Sequence, residues 1–447
     1  MPVTTRSQNA RIAAFPATLR EQVNGGDRPQ RPLVNQDLNA RNPASNAAGT
    51  SADDSDIPPT YTIDLSRPPA ERYIELAEDF KPQLLGLTGL FSEVIKDLGL
   101  GNHSKTTTTL ARLFLRRLHS KEQTEELRGI CKVTGIDMYL LVAFNTLLDL
   151  FMGCTSGGVR VRDGNGSKML HFRTLDWGMD ALRKVVVQLE FVDRPHGEVV
   201  ARSVTYVGFV GVLTAVRKSL SISLNFRPNH NDSTSKLSNV KFYSHHVLVL
   251  LGLRPSISSV LRGYILAPFR NHNGPDLASI VQSLPSTSST ASYVIASDGI
   301  TTAIFEKDRI TARTTCSSSF IVATNHDVSL EAPLVSSERQ KSTEVRPSYQ
   351  QNVTGIEDLV AESIDRKGCV TVKWQRAVAR YRKRHPGASE DEVCVSQSEV
   401  VSWLEEYPIT NECTHFATVM DPKLGEVVWV RRYGDPVDTD EEEAWQD

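Results

Sequence analysis

Apolar residues recur at helical spacing across residues 68–100, at Tyr73, Leu76, Ala77, Phe80, Leu84, Leu85, Leu87, Leu90, Phe91, Val94 and Ile95, ahead of a Gly101-Asn102 stop. Similar spacing predicts helices over about 106–118, 122–133 and 137–152. From residue 154 onward the pattern shifts to short strands at 159–162, 169–172, 185–191, 199–207, 211–216 and 220–224, punctuated by turn signals such as Asp163-Gly164-Asn165-Gly166. A helical interval covers 243–266 and 276–282, strands return at 292–296, 301–306 and 318–323, and helices again occupy 356–407. A closing hairpin is expected from 414–420 and 427–432. An α-rich opening followed by a meander of antiparallel strands predicts an α+β fold with layered sheets. The expected divisions are a disordered tail over 1–59, an α-helical region over 60–153, a catalytic domain over 154–434 and an acidic disordered tail over 435–447.

With 447 residues, of which 40% are apolar, the chain is long enough for a large core and is neither fibrous nor wholly disordered. A net charge of -3 offers no general affinity for nucleic acid. The six cysteines are widely spaced without a Cys-x-x-Cys, so no zinc knuckle or redox pair is expected, and five of them read as buried thiols or isolated pairs. Residues 1–22 hold arginines but no continuous apolar core, so no secretory signal is expected there and localisation stays open. The longest apolar run, 138–152, is interrupted by Asn145 and Asp149 and is shorter than the roughly 20 residues a membrane span needs, so a buried helix is expected. A basic stretch from Arg376 to His385 reads first as a solvated helix face and second as a surface for anionic lipid or another acidic partner.

The residues that carry chemistry lie where helix gives way to strand. Gly153-Cys154-Thr155-Ser156 is followed one hairpin later by Arg173 and Asp176. A cysteine released at a new N-terminus holds thiol and α-amine on one residue, and the amine, with a pKa of about 7.7–8.0, can serve as the thiol's own base. Such a hydrolase also needs a group to hold the amine, a cation near sulfur and an amide donor for the oxyanion, for which Asp176, Arg173 and Asn325 are candidates. Taken singly, Cys154 reads as a core thiol, Arg173 and Asp176 as a surface ion pair, and Asn325 as a turn residue. With a strand period of two, Arg173 and Asp176 cannot share one face, so a turn or bulge is expected between them. His171, His326 and His245-His246 offer a Cys-His enzyme or a metal site, but no metal-ligand spacing accompanies them and no metal or organic cofactor is expected.

The motifs resemble those of the acid ceramidase and N-acylethanolamine-hydrolysing acid amidase family, within the choloylglycine and penicillin V acylase group of N-terminal nucleophile hydrolases. The likeness runs from Tyr61-Thr62-Ile63-Asp64-Leu65 with Pro68-Pro69, through Cys154-Thr155-Ser156, Arg173-Thr174-Leu175-Asp176-Trp177-Gly178, residues 208–214 and Ser223-Leu224-Asn225, to Thr324-Asn325-His326-Asp327 and Glu338-Arg339. It implies an αββα sandwich preceded by a helical α-subunit, self-cleavage at Gly153-Cys154 into associated fragments, and hydrolysis of an N-acyl lipid such as ceramide at a membrane or micelle surface. Cys154 is then the nucleophile, Asp176 the holder of its α-ammonium, Arg173 the cation at sulfur, Asn325 the oxyanion donor and Arg339 its electrostatic support. N-acylethanolamines, smaller N-acyl substrates of the choloylglycine and penicillin V acylase kind, and a catalytically silent lipid binder are the alternatives. Phe226 stands where the family usually has an acidic residue, His326 where it has tyrosine, and the 162–168 turn holds about three extra residues.

Overall fold

The computed structural model describes residues 56–89, 104–147, 153–228, 236–271, 274–330 and 356–437. Two sheets lie face to face between helical layers. The larger has the order β1 (Thr60–Asp64), β4 (Val186–Val192), β5 (Val199–Tyr206), β6 (Thr214–Arg217), β7 (Leu220–Phe226), β8 (Ser292–Ser297), β9 (Thr302–Lys307) and β10 (Ala312–Ser317). The smaller runs β11 (Phe320–Ala323), β2 (Gly153–Asp163), β3 (Gly166–Asp176), β12 (Thr414–Asp421) and β13 (Glu426–Arg432). All pairings are antiparallel except β1 with β4. The αββα arrangement follows from alternation. On β2 and β3, Val159, Val161, Leu170 and Phe172 point outward, where they join Val370, Trp374 and Trp403 of helices Ile356–Arg384 and Gln397–Glu405 in one core. Their pleat neighbours Cys154 and Leu175 point inward, into the core shared with the large sheet.

The opening of the chain departs from a purely helical region. Residues 60–64, expected within a helical unit, add a strand to the edge of the large sheet through β4. The expected 68–100 helix is broken into a 3-10 turn at Pro69–Glu71 and short helices Ile74–Asp79 and Lys81–Gly86, with Pro82 unable to continue the first of them. The expected 243–266 helix is two, Lys236–Leu250 and Ile257–Asn271, because Gly252 at φ +66° turns the chain and Pro255 follows it. Strand β10 was not foreseen; its burial is low at an edge, and Arg313, Thr314 and Thr315 carry little apolar signal. The Gly101-Asn102 stop, the approach to Gly153 over 148–152, most of both tails and Glu338-Arg339 lie outside the described residues.

His171 illustrates what the space between the sheets does to a polar group. It is fully buried on β3, with Nδ1 2.9 Å from Ser221 Oγ and Nε2 2.8 Å from Ser223 Oγ on β7. Burial, assisted by the positive charge of Arg173, pushes its pKa down to about 3. It is a structural bridge, and its fold contribution has a sign. The unfolded imidazole takes a proton near 6.5 while the folded one refuses it, so the contribution is complete above about pH 6.5 and drains away toward 3, at about 1.4 kcal/mol per pH unit. Urea unfolding across pH 7 to 4 is expected to show this loss, and His171→Gln is expected to flatten the slope while lowering stability at pH 7. An unchanged slope in the variant would assign the acid sensitivity elsewhere.

Candidate active site

Cys154 occupies the second position of β2, opposite Leu175, with no exposed surface. Two residues farther along each strand, Ser156 pairs with Arg173, so Cys154 and Arg173 share the inward face. Arg173 Nη2 donates to Cys154 Sγ at 3.3 Å. Its Nη1 is held by the Leu213 carbonyl and Thr214 Oγ1, and its guanidinium lies 5.9 Å from the centre of the Phe416 ring. This explains the 208–214 motif. Gly208, at φ +87°, makes the turn, Asn145 clamps that turn by donating to the Gly208 carbonyl and accepting from the Val210 amide at 2.8 Å each, and the chain then presents Leu213 and Thr214 to Arg173.

Arg173 is fully buried, yet no carboxylate lies within ion-pair distance of it among the described residues. An unpaired buried cation is costly, and the sulfur is positioned to supply the missing anion. At 3.3 Å a thiolate would gain about 5 kcal/mol from Arg173 at an effective dielectric of 20. That is comparable to the several kcal/mol of burying an ion. In the uncut chain burial prevails: it pushes the Cys154 thiol up, against the pull of Arg173, so the sulfur is protonated.

Asp176 lies opposite Gly153 and, as strand parity requires, on the outward face. The expected bulge between Arg173 and Asp176 is absent, and β3 keeps one-to-one register with β2 from Gly166 to Asp176. The irregularity is instead in β12, between Thr414 and Phe416. The two residues reach Cys154 from opposite faces because one addresses its sulfur and the other its backbone. Asp176 Oδ1 accepts from Thr414 Oγ1 at 2.7 Å, while buried Oδ2 has no hydrogen-bond donor. Burial raises the Asp176 pKa, against the pull of Arg366 and of the Thr414 hydrogen bond. A Cβ on Gly153 would stand 3.2 Å from Asp176 Cβ, so glycine lets this carboxylate sit beside the bond without a tight contact.

Asn325 closes the group from the loop after β11. Its Oδ1 accepts the Cys154 N–H at 2.7 Å and Arg366 Nη2 at 3.0 Å, two donors that fix which end of the amide is oxygen. Nδ2 donates to the Phe226 carbonyl at 2.8 Å, so position 226 contributes backbone here. Asn325 therefore orients the nitrogen of Cys154 in the intact chain. Behind it, Arg227 holds Asp327 through two bonds of 2.8 Å, and Tyr293 adds a third at 2.7 Å, tying the 325–327 loop to the end of β7. Ser156 Oγ donates to Asn225 Oδ1 at 2.8 Å.

Arg339 lies outside the described residues; the cation beside Asn325 is Arg366, buried on the long helix Ile356–Arg384 with Nε 3.8 Å from Asp176 Oδ2. Sequence reasoning missed it. The available signal was helical: Ser363 and Arg366 fall on the same stripe as Val370, Trp374 and Ala377, so a charge occupies an apolar face. His326, by contrast, bonds Ser363 Oγ through Nδ1 at 2.8 Å, and the His245 and His246 pair sits on the separate helix Lys236–Leu250. The six cysteines are free thiols; four besides Cys154 are half-buried, whereas Cys316 is exposed, contrary to expectation.

Residues 56–119, all ahead of Cys154, match the family model described as the beta subunit of N-acylethanolamine-hydrolyzing acid amidase. The chain is 29% identical to acid ceramidase of Rattus norvegicus over 190 residues, 38% of this chain and 45% of that protein. It is 27% identical to acid ceramidase of Homo sapiens over 184 residues, again 38% and 45% of the two chains. These matches thus span somewhat under half the length of the relatives. The solved structure of a Caenorhabditis elegans N-acylethanolamine-hydrolyzing acid amidase ortholog aligns with 61% of this chain and 94% of that one, at 20% identity and a TM-score of 0.38. In its opening segment and over part of its length, the chain is similar to members of the acid ceramidase and N-acylethanolamine-hydrolysing acid amidase family.

Proposed function

We propose that this protein is a cysteine amidohydrolase of N-acyl lipids, activated by cleavage of its own Gly153-Cys154 bond, with ceramide as the leading substrate. The observation that carries the reading is the convergence on Cys154 of Arg173 at its sulfur, Asn325 at its nitrogen and an unsatisfied Asp176 oxygen beside Gly153. In the cutting step the thiol attacks the Gly153 carbonyl, the peptide C–N bond breaks, and the acyl group passes to sulfur while the nitrogen becomes an amine. Water then hydrolyses the thioester, leaving a carboxylate on Gly153 and the free thiol on Cys154. The new α-ammonium has three donors, and the acceptors awaiting it are Asn325 Oδ1 and Asp176 Oδ2. In turnover the same sulfur attacks the lipid amide, the amine of Cys154 returns a proton to the leaving amine, and water releases the fatty acid.

Two features support the remainder of the reading. The pieces before and after Cys154 interlock through β1 in the large sheet and through buried Glu126, whose carboxylate takes both Nη atoms of Arg262 at 2.6 Å. Fragments so joined stay together after the cut. A lipid surface is favoured by the exposed apolar side chains Leu110, Leu113 and Phe114 on helix Ser104–Phe114 and Leu237, Val240 and Tyr243 on Lys236–Leu250. The ceramidase relatives make ceramide the leading substrate; N-acylethanolamines come second.

Intact-mass measurement combined with a panel of ceramide, N-acylethanolamine and bile-salt amides tests the proposal. Two fragments divided at 153/154 and highest kcat/KM for a long-chain N-acyl lipid are expected. Full activity from an uncut chain, or no hydrolysis of any member by the cut protein, would overturn it.

A further inference from the structure

The outer end of the β2–β3 hairpin carries a second feature. A cleft of about 750 Å³ opens there between the C-terminal part of helix Ile356–Arg384 and the start of helix Gln397–Glu405. Arg162, Arg380 and Arg384 line it, together with Tyr381 and with Ser396, which caps the second helix. Arg162 is eight residues along β2 from Cys154, about 26 Å at the rise of a strand, so the cleft is distinct from the reacting group.

Its charge is only partly cancelled locally. Glu399 pairs with Arg380, but Arg162 and Arg384 have no carboxylate within ion-pair distance among the described residues. The neighbouring acidic turn Glu390–Glu392 is committed elsewhere in part: Glu390 accepts from Trp374 Nε1, and Glu392 closes a capping box with Ser389. Two open guanidinium forks, a hydroxyl-bearing rim and the positive end of a nine-residue helix thus meet on one cavity. Guanidinium pairs present parallel N–H groups that fit the tetrahedral oxygens of phosphate, and the volume admits a phosphate with an attached organic group.

We propose that this cleft is a binding site for a phosphate-bearing anion, either a free phosphate compound or the phosphate of a lipid headgroup. The site is independent of the amidase reading, because none of its residues touches Cys154 or the groups around it. It also gives the basic stretch 376–385 a definite location: Arg380 and Arg384, one turn apart on the helix, are the members that face the cavity with Arg162.

The test uses the full chain, wild type and the double variant Arg162→Gln/Arg384→Gln, with three probes: inorganic phosphate, inositol hexakisphosphate, and phosphatidylcholine vesicles with or without phosphatidic acid. Wild type is expected to bind inositol hexakisphosphate by calorimetry at least tenfold more tightly than the double variant, with inorganic phosphate competing and with unfolding temperature at zero ligand matched between the two. Sedimentation with phosphatidic acid vesicles that the variant loses identifies a headgroup as the source. Binding of the soluble probes alone identifies a free phosphate compound. Equal affinity in both proteins overturns the proposal. So does affinity that appears only when the six acidic residues within 438–447 are changed to asparagine and glutamine, since the cleft would then belong to that segment of the chain.

Discussion

Cys154→Ala is expected to remain a single uncut chain and to lose about 10⁴-fold or more of its amide hydrolysis, the scale seen when a covalent nucleophile is removed. Both losses come from one atom. The sulfur supplies the acyl acceptor for the Gly153 carbonyl and, after the cut, for the lipid amide, while water at large lacks the positioning that Arg173 and the β2 backbone give it. The alanine is small enough for its pocket, and the change removes one atom from a fully buried site, so the fold should survive. Cys154→Ser separates the roles: its hydroxyl is a weaker nucleophile without the thiol's acidity, and slow cleavage with little turnover is expected. Intact mass, circular dichroism and ceramide hydrolysis on the same preparations read all three. Turnover kept by the alanine protein would end the assignment of Cys154.

Arg366→Met is expected to reduce turnover by about a hundredfold, within the range for loss of one preorganised polar group at a reacting centre. Arg366 is a positioning residue: it donates to Asn325 Oδ1 and lies 3.8 Å from Asp176, and it acts on the sulfur and the scissile bond through these two groups. Its removal leaves Asn325 without one of the two donors that orient its amide. It also removes the strongest opponent of the burial that raises the Asp176 pKa, so Asp176 holds its proton to higher pH. If turnover requires the Asp176 carboxylate, the acid limb of the kcat profile must shift upward in the variant. A merely structural residue would lower the amount of folded enzyme without shifting that limb. Arg366→Lys, which keeps the charge and gives up the fork, should restore the pH limb more fully than the rate. An unshifted limb in both variants would remove Arg366 from the site.

Several parts of this arrangement were legible in the chain because they depend on local order. The change from helical to strand spacing at residue 154 places Cys154 at the start of a hairpin, and the turn at Gly164 returns Arg173 to the same face two positions away. Register alone brings those two together. Asn325 was a candidate by its chemistry and by the likeness of its motif, and it reaches Cys154 because β11 pairs with β2, a contact between residues far apart in the chain. Composition and spacing carry no information about such pairings.

Sequence by itself determined the α+β class, most of the strands and the hairpin that follows the Gly153-Cys154 junction, since periodicity and a tight turn act over a few residues. Tertiary structure decided which groups complete the site. Arg366 belongs to a helix that packs across β2 and β11, and only that packing brings its guanidinium to Asn325 and Asp176. The same holds for β1, whose short strand joins the large sheet through a parallel partner more than a hundred residues away. In each case the deciding interaction is a long-range burial or backbone pairing, and its energy depends on a surface that exists only once the sheets have come together.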